Sequence, residues 1–337
     1  MQRRPEPRGG PYDRPRGQGQ ASSSCSIDAP LLTAKLKQAH CVDELLHLVG
    51  EHGDAFNHIH CSAAWSYLGK QAGECSKPQH QAGLGRLLRL TEARVPACEA
   101  RNMSTTVHGV AKSRVSGTRG LFAAVAAAAV PRVRDFNPQN LANTVWAYAT
   151  AGHSAPALLD AIAAAAPPRL REFKPQEFAN MAWAYATAGQ KAPALFDAIM
   201  VEVAPRLRDF TPQDMANTAL AYATAGHSAP ALLDAIAAAA LPRMGNFEPQ
   251  ALANMAWAFA TAGHEAPELL DAIAAAAMSR VRDFKPQVLD NMAWAYARAG
   301  HEAPALIGAL RDGGEGREGG GRGGDASGDE VGEAAVD

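Results

Sequence analysis

The chain has 337 residues, 47% hydrophobic but only 6% aromatic, and a formal net charge of −2. Near-neutrality excludes the broad basic field that drives non-specific nucleic-acid binding, and no apolar run approaches the ~18 residues that a membrane helix needs. Five cysteines (Cys25, Cys41, Cys61, Cys75, Cys98), odd in number and without a C-x-x-C pair, argue for a reducing compartment and against a disulfide scaffold or zinc finger.

Residues 1–28 are Arg, Gly, Pro, Gln and Ser with almost no large apolar side chain, so they cannot offset the entropy of ordering and are predicted disordered. Their Arg and Ser content fits an organelle transit peptide, but the amphipathic apolar face of such a peptide is missing. Residues 29–135 read as degenerate helical repeats. A helix is expected around Val42–Val49, and Ala64-Trp65-Ser66-Tyr67 echoes an Ala-Trp-Ala-Tyr motif found further on. Arg101 through Ala111 aligns with Gln139 through Ala149, with His108 in the place of Trp146; a second helix follows from Leu121 to Pro131.

Residues 136–310 hold five copies of a 37-residue unit. Phe136, Phe173, Phe210, Phe247 and Phe284 open them, each followed by a Pro, an Asn and a Gly at fixed distances. A fixed period in this range means a stacked array rather than one globular core. In the first copy Pro138 suits the first turn of a helix and Gly152 suits a left-handed C-terminal cap, so the intervening residues predict one helix of about four turns. Pro156 opens a second helix, which Pro168 breaks before the basic turn Arg169-Leu170-Arg171. Two helices per copy with short connections make the fold class all-α, an α-solenoid of stacked hairpins. Residues 311–337 are Gly-rich and predicted disordered; the last second helix gives way to Gly without the Pro-Arg turn, as in an array that once continued or a truncated product.

A helical wheel of the first helix puts Leu141, Ala142, Val145, Trp146, Tyr148 and Ala149 on a packing arc. Asn140, Asn143, Ala147 and Thr150 fall opposite, as the wall of a groove. There the small Ala147, Ala184, Ala221, Ala258 and Ala295 leave room for a ligand. Asn143, Asn180, Asn217, Asn254 and Asn291 form a constant polar row, and Asn140, Glu177, Asp214, Ala251 and Val288 form a variable one. The constant Asn row has two readings, ligand contact or a ladder that ties copies together. The Trp row (Trp146, Trp183, Trp257, Trp294, with Leu220 in the third copy) could stack bases, but it falls on the packing arc and Leu substitutes for it, so it reads as core. The exposed basic turns, with Arg134, Arg171, Arg208 and Arg282, could contact phosphates, although Asp135, Glu172, Asp209 and Asp283 follow them directly. Loop histidines at His153, His227, His264 and His301 lack a ligand constellation, so no metal or other cofactor is expected. Identical groups about 10 Å apart do not converge as acid–base or nucleophilic chemistry requires, so no enzyme and no small-molecule substrate are expected.

The pattern F-x-P-Q-x-x-A-N-x-x-W-A-Y-A-T-A-G, seen in Phe173-Lys174-Pro175-Gln176 through Ala179-Asn180 to Trp183-Ala184-Tyr185-Ala186-Thr187-Ala188-Gly189, resembles the octotricopeptide-repeat proteins, algal organelle RNA-binding solenoids related to RAP-domain chloroplast translation factors. The resemblance implies single-stranded RNA as partner, a chloroplast or mitochondrial location, and a role in transcript stability, processing or translation. It also implies about one nucleotide per copy, set at Asn140, Glu177, Asp214, Ala251 and Val288. Between Arg114 and Leu310 stand 15 Lys or Arg and 16 Asp or Glu, so RNA affinity would come from local geometry. A scaffold that holds a peptide or helix in the same groove is the alternative, and the near-neutral array favours it.

Overall fold

The computed structural model describes residues 28–315; the expectations for residues 1–27 and 316–337 lie outside them, while residues 311–315, expected to be disordered, continue the last helix. No strand occurs among the described residues. Each regular copy is a helical hairpin: α8 (Pro138–Thr150) with α9 (Pro156–Ala165), α10 (Pro175–Thr187) with α11 (Pro193–Val203), α12 (Pro212–Ala225) with α13 (Pro230–Ala240), α14 (Pro249–Ala262) with α15 (Pro267–Met278), and α16 (Pro286–Ala299) with α17 (Pro304–Glu315). Ahead of them lie α1 (Ala29–Gln38), α2 (Val42–His52), α3 (His58–Leu68), α4 (Ala72–Cys75), α5 (Gln81–Arg94), α6 (Ala100–Ser113) and α7 (Arg119–Ala129).

Local chemistry sets the boundaries. Each first helix of the regular copies starts on Pro, and side chains cap the first turn of α8, α10 and α12: Asn137 Oδ1 accepts from Asn140 N, Glu177 Oε2 accepts from Lys174 N, and Asp214 with Thr211 forms a reciprocal pair. Each ends on a left-handed glycine, with φ between 61° and 65° at Gly152, Gly189, Gly226, Gly263 and Gly300. The second helix does not kink at its late Pro; it tightens into a 3-10 turn, as at Pro167–Glu172 and Ala204–Asp209.

Three sets of bonds hold the array. The first Arg of the basic turn closes its own hairpin onto the carbonyl of the opening Phe: Arg169 onto Phe136 at 2.6 Å, Arg206 onto Phe173 at 2.7 Å and Arg280 onto Phe247 at 3.2 Å. Arg132 onto Cys98 and Arg94 onto Phe56 repeat the clasp in two worn hairpins, α6/α7 and α3/α5. Between hairpins, the buried tyrosine of one first helix donates to a carbonyl of the preceding second helix: Tyr148 to Phe122, Tyr185 to Leu159, Tyr222 to Phe196 and Tyr296 to Leu270, all at 2.6–2.7 Å. Burial raises these phenols well above the ordinary tyrosine range. At the loop end, His227, His264 and His301 bond to Asp197, Asp234 and Asp271 of the preceding copy at 2.8–2.9 Å.

The layers differ in density. First helices pack directly on one another from α1 through α3, α6, α8, α10, α12 and α14 to α16, whereas the second helices are held apart by the 3-10 turns between them. An array bends toward its tighter layer, so the first helices form the inner face. The small row accounts for that tightness. Ala147, Ala184, Ala221, Ala258 and Ala295 are 0% exposed, and the expectation that they open a groove is corrected: they are where neighbouring helices touch. In α6 the same place is Gly109, where a methyl group would collide with the Trp65 carbonyl.

The worn region also differs in detail. Phe56, clasped by Arg94, aligns with Phe136 and brings Ser66 rather than Trp65 to the Trp146 position, so the Ala64–Tyr67 echo is one residue out of phase. Trp65 is fully buried and donates to Thr91 Oγ1 at 2.9 Å. Upstream, α1 packs on α3 and α2 on α5, a further hairpin without the motif.

Candidate functional site

A first helix within the array has a neighbour on either side and a second helix behind it, so the side chains that keep exposure mark its inner face; α16, the last, is open on one side as well. On α8 they are Gln139, Asn143, Trp146 at its edge, and Thr150, a 4-3-4 spacing that climbs one side of a helix. Every copy repeats it: Gln176, Asn180, Trp183 and Thr187; Gln213, Asn217, Leu220 and Thr224; Gln250, Asn254, Trp257 and Thr261; Gln287, Asn291, Trp294 and Arg298. In α6 the strip reads Arg101, Thr105, His108 and Lys112, so cations stand at its two ends and uncharged side chains in between.

This strip is rotated from the expected one. Asn140, Glu177, Asp214, Ala251 and Val288 lie in the first turn at 5–8% exposure, and the first three are engaged in capping, so the variable row does not line an open wall. The Asn row lies on the strip but sinks toward its middle, from half-buried Asn143 and Asn291 to Asn180 at 8%, Asn217 at 5% and Asn254 at 2%. Asn254 Nδ2 donates across the copy boundary to Asn217 Oδ1 at 3.5 Å, and Gln250 Nε2 donates to Asn254 Oδ1 at 2.9 Å. This part of the row is a ladder between copies. The Gln row, constant after every Pro, is the feature missed from the sequence.

The Trp row edges the strip instead of lying wholly in the core. Trp146 is 6% exposed, Trp183 and Trp257 are half-buried and Trp294 is 47% exposed, while Leu220 is covered. The rings lean on one another, with centroids 4.9 Å apart for His108 and Trp146, 6.4 Å for Trp146 and Trp183, and 6.0 Å for Trp257 and Trp294. Burial, with Lys112 adding to it, holds the His108 imidazole down to about 4, so it is neutral near pH 7. Trp146 Nε1 and the hydroxyls of Thr150 and Thr261 are shielded from solvent and have no hydrogen-bond partner.

The exposed arginines Arg134, Arg171, Arg208 and Arg282 belong to the other layer. Arg134 lines a hollow of about 600 Å³ with Ala161, Ala164 and Ala165 of α9, and Arg171 reaches Glu202 of α11 at 3.5 Å. The Asn row and the Arg row, both expected to meet a ligand, are not brought together. Among the described residues no cluster of three or more His, Cys, Asp or Glu could hold a metal, and no helix is long and apolar enough to cross a membrane. Burial pushes the thiols of Cys75 and Cys98 up to about 11, which keeps them protonated and unreactive.

Two comparisons bear on this face. The family model of the RNA-editing substrate-binding complex 6 protein matches residues 79–315, which spans α5 through α17 with the whole strip. No curated protein matches the chain.

Proposed function

Because the chain belongs to the RNA-editing substrate-binding complex 6 protein family, we propose that it binds single-stranded RNA along the inner face of its first helices and acts on organelle transcripts without catalysis. The observation that carries this reading is the repeated Gln-Asn-Trp-Thr strip. Each copy offers side-chain amides that can donate and accept toward a base edge. Beside them run indoles, of which Trp183 and Trp257 are half-buried and Trp294 is exposed. The octotricopeptide resemblance supports about one nucleotide per copy, a chloroplast or mitochondrial location, and a role in transcript stability, processing or translation. On this strip the constant Gln residues, the half-buried Asn143 and Asn291 and the flanking Arg101, Lys112 and Arg298 meet the strand, while Asn217 and Asn254 tie copies together and the variable row acts from beneath.

A salt titration of the full chain on single-stranded RNA tests the reading. Three cations on the strip that neutralise three phosphates give a slope of log affinity against log salt of about −2, at about 0.7 per phosphate. The near-neutral array and the position of the Arg row in the outer layer favour a second reading, a scaffold for a peptide or helix. Absence of RNA binding even at low salt rejects the first reading in favour of the second.

A further inference from the structure

The strip is not uniform. Between α12 and α14 it deepens into a hollow of about 420 Å³, lined among others by Thr211, Gln213, Asn217, Asn246, Gln250 and Asn254. That volume lies in the roughly 300–1,000 Å³ range of small-ligand pockets. The sequence differs at this junction. Where other turns end in Arg134-Asp135, Arg171-Glu172, Arg208-Asp209 or Arg282-Asp283, this one ends in Gly245-Asn246. Gly245 has an ordinary backbone, and nothing lies within 4 Å of the place a Cβ would take, so the gap is open space and not a steric demand for glycine.

The chemistry of the lining selects its occupant. No Lys or Arg lines the hollow, and its single carboxylate, Glu248, is held by Arg280 at 3.0 Å. A phosphate would find no cation there. The amides are oriented: Gln250 gives one N–H to Asn254 Oδ1, and Asn254 Nδ2 points to Asn217 Oδ1. This leaves Gln250 with its carbonyl oxygen beside its second N–H, the acceptor–donor pair that engages a base edge in two bonds.

We propose that this hollow takes one unpaired nucleobase of the bound strand, read on its hydrogen-bonding edge by Gln250 with Asn254 behind it, and that this junction sets the register of the strand on the array. The inference rests on the RNA-binding reading above. Gln176 is the comparison, because it holds the same repeat position on the strip as Gln250 and lies outside the hollow.

The test uses the full chain and short labelled single-stranded RNA, read by fluorescence anisotropy. Gln250→Ala is expected to weaken binding about tenfold, within the range of one bidentate base contact, and Gln176→Ala by about twofold, the loss of one ordinary contact of the strip. RNA with one abasic site at the critical position should bind wild type as weakly as intact RNA binds Gln250→Ala, with no further loss when the two are combined. Gly245→Arg with Asn246→Asp, which rebuilds the ridge of the other copies, should match the loss in Gln250→Ala at unchanged helicity. Equal effects of Gln250→Ala and Gln176→Ala on a wild type that binds RNA overturn the inference alone. A wild type that binds no RNA overturns the RNA-binding reading and this inference with it.

Discussion

The tyrosine bonds between hairpins carry a built-in control. Tyr222 is 1% exposed and donates to the Phe196 carbonyl at 2.7 Å, 26 residues back. In the next copy Phe259, also 1% exposed, holds the same place, and the carbonyl 26 residues back is Leu233. Tyr222→Phe deletes one hydroxyl and leaves a carbonyl that keeps its place in α13's predecessor, α11. The loss is therefore the net value of one hydrogen bond, about 1 kcal/mol, rather than the larger cost of an orphaned group. Phe259→Tyr supplies the missing donor and is expected to stabilise by a similar amount. An array can unfold in segments, so the assay is amide hydrogen exchange in α12 and α14 together with the urea midpoint. The two substitutions should act locally and with opposite sign. If Tyr222→Phe is neutral, or Phe259→Tyr destabilises, the hydroxyl ladder does not hold the hairpins together.

His108 gives a pH test. Its folded value of about 4 lies below the ordinary 6.5, so the unfolded chain takes up the proton first. Stability from this site is complete above pH 6.5 and declines toward pH 4 by about 3 kcal/mol, at 1.36 kcal/mol per unit; the difference between wild type and His108→Trp in denaturation midpoint should flatten only above pH 6.5. Gly109→Ala drives a methyl into the Trp65 carbonyl and is expected to cost about 2 kcal/mol, seen as lost exchange protection in α3 and α6; normal protection there would mean that the helices can part freely. Asn254→Ala breaks a buried amide ladder and should lower stability by about 1–2 kcal/mol, whereas the exposed Gln176→Ala should leave the melting curve in place. Equal melting of the two variants would contradict the ladder.

What the sequence made legible was local. Pro at the first turn, Gly at the cap and Pro before the basic turn each act through neighbouring residues, so helices, caps and breaks follow from the repeat. The facing of the helices was less legible because alanine is ambiguous. Ala147 suits an open groove or a tight contact equally well, and only its neighbours decide; phasing the strip on it moved the strip from Gln139 to Asn140. The two arginines of one turn look alike in sequence, yet Arg169 clasps a carbonyl and Arg171 stands 89% exposed, because two steps along a 3-10 turn leave them on different sides. The constant Gln stands in every copy, but beside a first-turn Pro it looks like part of the helix start. The hairpin α1/α2 keeps the packing without the motif, so no pattern announced it.

The clasp between Arg169 and Phe136 has a consequence for how such a chain changes over generations. It is made inside one unit, while the Tyr and His bonds always reach back to whichever unit comes before. Excise one whole repeat from the regular stretch, or duplicate one, and each remaining partner still meets an equivalent atom. The footprint on a long ligand can therefore lengthen or shorten in whole steps by gene-level slippage, with no interface to be invented anew.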